Sequence, residues 1–187
     1  MKNLTKSLIG IMILCLVFTG CKKEKELESY LKVGDVECTL TDGNIVFYGE
    51  LSKKAATPVY SYYLEFCSQG IALSTDPDGY PEYTGTGVKV ILSLYSAGTP
   101  RPASGIDYEY HEWSDAQNAL NYGGYIIGYT SEVKGMSNGF VDGTVTVKGS
   151  GDNYTITYVG KDEEGTDVLF QYSGKLTYYD GSDWATK

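Results

Sequence analysis

An all-β fold, two antiparallel sheets packed as a jelly-roll-like sandwich of about ten strands, is predicted by three features of this chain. Apolar and polar residues alternate with period two over most of its length, the pattern of strands with one buried face. Clusters of glycine and acidic residues interrupt that alternation at short intervals. Tyrosine is abundant, 18 residues against five phenylalanines, beside 23 glycines, a composition that suits short strands and tight turns. A closed up-and-down β-barrel satisfies the same pattern and is the alternative.

Taken in order, Val36, Cys38 and Leu40 alternate with Glu37, Thr39 and Thr41, and Asp42-Gly43 then reads as a hairpin turn. Ile45, Phe47 and Gly49 continue one face, with Val46, Tyr48 and Glu50 on the other. After the polar break at 53–58, Tyr60, Tyr62, Leu64 and Phe66 form the next apolar face. Residues 74–87, with Asp76-Pro77-Asp78-Gly79 and Pro81, read as a long loop or irregular turn. Residues 86–95 are the clearest strand, with Val88, Val90, Leu92 and Leu94 inward, and Pro100 and Pro102 break it.

Ile106 to Tyr110 alternates briefly. Ser114 to Gln117 has capping-box spacing, Ala116, Ala119 and Leu120 fall on one side, and Gly123 sits at a stop, so a two-turn helix is predicted there. Strand pattern returns with Tyr125, Ile127 and Tyr129. A meander closes the chain: Val141 to Val147, Tyr154 to Tyr158, Val168 to Tyr172, and Leu176 with Tyr178, turning at 149–152 and 162–165.

The amino end has a different character. Lys2 and Lys6 precede an apolar run from Leu8 to Phe18, then Thr19-Gly20 and Cys21. The run is shorter than the roughly 20 residues a bilayer span needs, and the order is that of a secretory signal. A cysteine directly after the small pair makes it resemble a bacterial lipoprotein signal, which implies cleavage after residue 20 and acylation of Cys21. Residues 21–32, rich in lysine and glutamate, read as a solvated tether, and 33–187 as one domain. A lysine followed by acids behind Cys21 also resembles the export signal of Bacteroidota surface lipoproteins. An outer-membrane lipoprotein on the cell surface is therefore expected, with the periplasmic face as the alternative.

Losing Lys2 and Lys6 with the signal leaves 13 basic against 24 acidic residues, a net charge of −11, which repels phosphate backbones and argues against a nucleic-acid partner. Cys15 departs with the signal, leaving Cys38 and Cys67 in a compartment that permits a disulfide. Their alternation puts them on opposite faces, so two separate thiols are the alternative to a bridge.

The series Gly143 to Val147, Tyr154 to Ile156, Glu164-Gly165 and Tyr172 to Leu176 resembles the ending of a family of gut Bacteroides-type lipoproteins with an all-β domain. Residues 87–96 and 105–108 are similar to its middle section. The resemblance implies location and fold, and no activity.

Chemistry is sparse. His111 is the sole histidine and Arg101 the sole arginine, which excludes a multi-imidazole zinc site and leaves Ser104 or Ser114 too close in sequence for a convincing triad with His111. No cofactor or metal is implied, since Asp76, Asp78, Asp180 and Asp183 match no EF-hand spacing and read as solvated turns. Gly105-Ile106-Asp107-Tyr108-Glu109 resembles the catalytic strand of jelly-roll glucanases, where Asp107 and Glu109 share a face about 6.6 Å apart, but glycine stands at the nucleophile position. Aromatics in or beside loops, Tyr80, Tyr83, Tyr108, Tyr110, Trp113, Tyr122 and Trp184, are the candidate ligand contacts, because each pairs a flat apolar ring with a polar tip. The expected function is a membrane-anchored, non-enzymatic module binding a glycan or another surface ligand. An assembly component contacting an envelope protein is the alternative, and glycoside hydrolysis through Glu109 the more distant one.

Overall fold

The computed structural model describes residues 27–51, 57–98, 101–112, 116–132 and 137–183. The signal segment, Cys21, the first half of the tether, Trp113, Ser114 and Trp184 lie outside them. Among the described residues there is no helix, so none is long and apolar enough to cross a membrane.

The all-β expectation holds, with thirteen strands. The first five are β1 (Tyr30–Val33), β2 (Val36–Thr39), β3 (Asp42–Glu50), β4 (Val59–Cys67) and β5 (Ile71–Thr75). Then come β6 (Pro81–Ala97), β7 (Ile106–Tyr110), β8 (Ala119–Thr130) and β9 (Asn138–Gly139). The last are β10 (Thr144–Ser150), β11 (Asn153–Lys161), β12 (Asp167–Lys175) and β13 (Thr177–Asp180). They form one continuous curled sheet, a half-barrel, in the order β13-β3-β4-β6-β8-β7-β10-β11-β12-β1-β2, with β5 beside β6 and β9 beside β8. Pairing is antiparallel except for β13 with β3 and β7 with β8, which are parallel; alternation alone had implied antiparallel neighbours throughout.

The two ends of the curl are stitched by the chain itself. Edge strand β13 is separated from β12, near the opposite end, by Leu176 alone, and edge strand β2 runs on into β3 through Leu40 and Thr41. Leu40 and Leu176 are both buried in the core. Opposing walls meet there, with the Phe66 ring 4.7 Å from Phe170 and 4.9 Å from Tyr172. Most inward positions read from alternation are core residues, Ile45 and Phe47, Tyr62 to Phe66, Val88 to Leu94, Val145 and Val147, Tyr154 to Tyr158, and Val168 to Tyr172 at every second position, whereas Val36, Ile127 and Val141 are exposed.

Four expectations change. Asp42-Gly43 is not a turn, because β2 and β3 do not pair and Gly43 lies inside β3. Its missing side chain is a packing requirement: a Cβ would come 2.6 Å from Leu176, 2.9 Å from Phe66 and 3.0 Å from Tyr172. The β1–β2 turn is instead at Gly34, whose φ of 53° suits glycine. The predicted helix is displaced by β8, whose Ala119 and Leu120 pair with Tyr95 and Leu94 and, in parallel, with Glu109 and Tyr110; tertiary pairing overrides local capping. The 74–87 loop is a β5–β6 hairpin with its turn at 76–80, where Asp76 Oδ1 accepts from the amides of Asp78 at 3.0 Å and Tyr80 at 2.8 Å. The tether is shorter than expected, since β1 begins at Tyr30, Leu31 is buried, and Ser29 Oγ accepts from Ser173 N at 2.9 Å.

Candidate functional site

Strands β13, β3, β4, β6 and β8 lie side by side, so the residues alternating away from the core form rows on the convex side. One row runs Tyr179, Val46, Tyr63, Ser93, Tyr122 in register, with Tyr48 two residues beyond Val46. The next runs Asn44, Glu65, Ile91, Gly124, and the third Asp42, Cys67, Lys89, Ile126.

This convex side is far less exposed than a solvent face should be. Asn44, Val46, Glu65, Cys67, Lys89, Ser93 and Ile126 are all buried. The β5–β6 hairpin folds over the third row, setting Ile71, Leu73 and Tyr83 against Cys67, Ile126 and Tyr129 in a small apolar cluster separate from the main core. Under it, Lys89 Nζ is 3.0 Å from Glu65 Oε1 and 3.5 Å from the centre of the Tyr83 ring, a cation–π contact added to the ion pair. Asn44 Nδ2 donates to Glu65 Oε2 at 3.2 Å, and the Tyr83 hydroxyl donates to Glu65 Oε2 and, at 3.1 Å, reaches Asn44 Oδ1. Burial pushes the Tyr83 pKa far up, and the charge of Glu65 adds to it, so this hydroxyl keeps its proton and donates.

Beyond the hairpin the tyrosine row stays open. Tyr48 is 41% exposed, and Tyr63, Tyr122, Tyr179 and Tyr80 are half-buried. Ring centres are 4.7 Å apart for Tyr48 and Tyr63 and 5.5 Å for Tyr63 and Tyr122, with planes at 60° and 87°. Burial raises the Tyr48 pKa, with the charge of Glu65 and the neighbouring Tyr63 and Tyr80 adding.

The aromatics expected to contact ligand divide between three places. Tyr80, Tyr83 and Tyr122 belong to this face, although Tyr83 is a buried contact on the underside of the hairpin itself and presents little surface. Tyr108 is a correction: it is fully buried in the main core, its hydroxyl 3.2 Å from Ser96 Oγ and accepting from Ala103 N at 2.8 Å, so it has no face for a ligand. Tyr110 packs half-buried against the same core. Trp113 and Trp184 lie outside the described residues.

Sequence reasoning missed Tyr48, Tyr63, Glu65 and Lys89. The available signal was that β3 and β4 carry large apolar or aromatic residues on both faces, Val46 and Tyr48 beside Ile45 and Phe47, and Tyr63 beside Tyr62 and Leu64. A strand so built covers something with each side.

Cys38 packs against the main core and Cys67 against the convex cluster, and both thiols are free. Asp107 and Glu109 are exposed on β7, and Thr146 Oγ1 donates to Asp107 Oδ1 at 2.7 Å. Asp180 Oδ1 accepts from Ser182 N and Oγ at 3.0 and 2.7 Å, so like Asp76 it satisfies its own turn. Among the described residues no group of three or more His, Cys, Asp or Glu side chains gathers as a metal site. Comparison with protein-family models, with curated proteins and with solved structures finds no match.

Proposed function

We propose that this protein is a non-enzymatic, lipid-anchored binding module of the bacterial envelope that holds a glycan against its tyrosine row. The observation that carries the reading is the contiguity of Tyr48, Tyr63 and Tyr122 on one open side of the sheet. Tyrosine offers an apolar ring to the C–H face of a sugar and a hydroxyl to its oxygens. The lipoprotein-like start, the charged tether and the likeness to gut Bacteroides-type lipoproteins favour attachment at Cys21 and display on the cell surface.

The test is a screen of host, dietary and bacterial glycans against the full chain, repeated with Tyr48→Ala. Binding that Tyr48→Ala reduces about tenfold or more supports the reading; silence across the screen, or undiminished binding by the variant, removes it. Intact mass from membranes and protease shaving of whole cells test the anchor and its side. Unmodified Cys21, or full protection, overturns acylation or surface display respectively.

A second reading, an assembly component, draws on a different face. Val159 is 61% exposed and Leu169, its partner in register, 37%, beside a shallow depression of about 590 Å³ bordered by Asp142, Lys161 and Asp167. Contiguous exposed apolar side chains favour a protein contact. Crosslinking in cells that traps one envelope protein, and no longer does so with Val159→Lys, supports this reading; the absence of any trapped partner counts against it.

A further inference from the structure

The β5–β6 hairpin, like the two-residue β9, lies off the main strand path, but it is long enough to fold back over the convex side. Its five residue pairs, Ile71 with Gly85 through Thr75 with Pro81, lie off the main strand path. Both strands leave the sheet at glycines: Gly70 and Gly85 each have φ of 105°, a conformation other residues rarely adopt, and a Cβ on Gly85 would sit 2.1 Å from the Gly70 carbonyl oxygen. Only a pair of glycines allows that crossing. At its free end, Asp76 holds the turn rigid through its two amide contacts.

The hairpin's underside is held by one small apolar cluster and a few polar contacts, among them the Tyr129 hydroxyl donating to Tyr83 O at 3.2 Å. Ile71, Leu73 and Tyr83 form the apolar contact, within a cluster distinct from the main core. The rest of what it covers is polar, Glu65 and Lys89, with the hairpin's own Tyr83 hydroxyl donating to Glu65. Lifting it forfeits a small apolar area but returns two charges to water, and rehydration of a buried ion pair offsets part of that loss. The main core has no such compensation, so the hairpin belongs to the low end of the molecule's local stability.

We propose that the β5–β6 hairpin is a flap, hinged at Gly70 and Gly85, that opens without unfolding the sheet and uncovers the Glu65–Lys89 pair alongside the tyrosine row. The open state sets a carboxylate and an ammonium beside the aromatic rings, giving an apolar face a charged flank. The flap motion holds whether or not the tyrosine row takes a sugar.

Cys67 is a built-in reporter. It lies 3% exposed under the flap, and burial pushes its thiol up to about 12, with Lys89 opposing and Glu65 and Asp42 adding. The closed form therefore carries almost no thiolate at pH 8 and alkylates only when the flap lifts. The experiment is iodoacetamide labelling of the folded full chain in increasing sub-denaturing urea, with Cys67 and Cys38 followed by peptide mass. The expected result is a Cys67 rate nearly independent of urea well below the unfolding transition. Tyr83→Phe, which removes the hydroxyl held by Glu65 and Asn44, raises that rate about tenfold or more and leaves the Cys38 rate unchanged. If Cys67 reacts only with the urea dependence of global unfolding, or if Tyr83→Phe accelerates both thiols alike, the hairpin is a fixed part of the sheet and the proposal is overturned.

Discussion

Lys89 lies 3.0 Å from Glu65 on the convex side of the sheet, and each side chain is about nine-tenths buried. The pair is shielded because the hairpin and Tyr83 lie over it, not because it points into the core. Removing one partner strands the other charge in a covered site, whereas removing both does not. Glu65→Leu and Lys89→Met singly should each cost about 3–5 kcal/mol by urea denaturation, and the double variant should recover most of the loss. Additive losses in the double variant would show that the two charges act independently.

Exposure separates the tyrosines that hold the fold from those available to a ligand. Tyr108 is fully buried, with its hydroxyl bonded to Ser96 and Ala103. Tyr108→Ala should destabilise by about 3–5 kcal/mol through the cavity and the orphaned partners. Tyr48, at 41% exposed, should cost about 1 kcal/mol or less as Tyr48→Ala. A comparable loss from the two variants, read from denaturation midpoints, would mean that the open row is structural.

Gly43 ties the seam where β12 passes into β13. An added methyl would meet Leu176, Phe66 and Tyr172 together, and overpacking of this kind costs about 1–3 kcal/mol. Leu176→Ala relieves the nearest of the three contacts, so Gly43→Ala and Leu176→Ala should be markedly non-additive. Thermal melts of the two single variants and the double variant decide it; strict additivity would place the seam's tightness elsewhere.

The same residues explain what was legible in the sequence. Val88 to Leu94 and Tyr154 to Tyr158 were assigned their correct face because a period of two is a local property of a strand. Gly43 was misread because a tight turn and a close approach both select glycine, and the difference lies in Leu176, far along the chain. The residues before Gly123 satisfy a helix cap locally, but pairing of Ala119 and Leu120 with β6 and β7 is long-range and prevails. A Phe140 ring atom lies 2.7 Å from where a Gly123 Cβ would be, so this glycine too serves packing. Tyr48, Tyr63 and Tyr122 each occupy an ordinary outward position, and they become a row only through the strand order β3-β4-β6-β8, which periodicity does not encode. Glu65 and Lys89 meet for the same reason.

Asp162 carries the clearest pH dependence. It is 1% exposed, yet its carboxyl accepts from the Tyr125 hydroxyl at 2.8 Å, Glu164 N at 3.0 Å and Thr166 N at 2.8 Å. Burial pushes its pKa upward, but these hydrogen bonds together outweigh burial and leave it below the usual carboxylate value. A carboxyl depressed in the folded state binds its proton more weakly there than in the unfolded chain. Its stabilisation is therefore fully present above the unfolded pKa, near pH 4, and is lost as pH falls through the lower folded value. Asp162→Asn keeps the size and one acceptor oxygen but gives up the charge that the three donors face, so it should cost about 1–3 kcal/mol at pH 7. That gap should narrow steadily below about pH 4, where the wild-type carboxyl itself becomes neutral. Urea midpoints for both proteins at pH 7, 4 and 2.5 measure it. A gap of the same size at all three values would mean that the Asp162 charge contributes nothing and that the turn is held by shape alone.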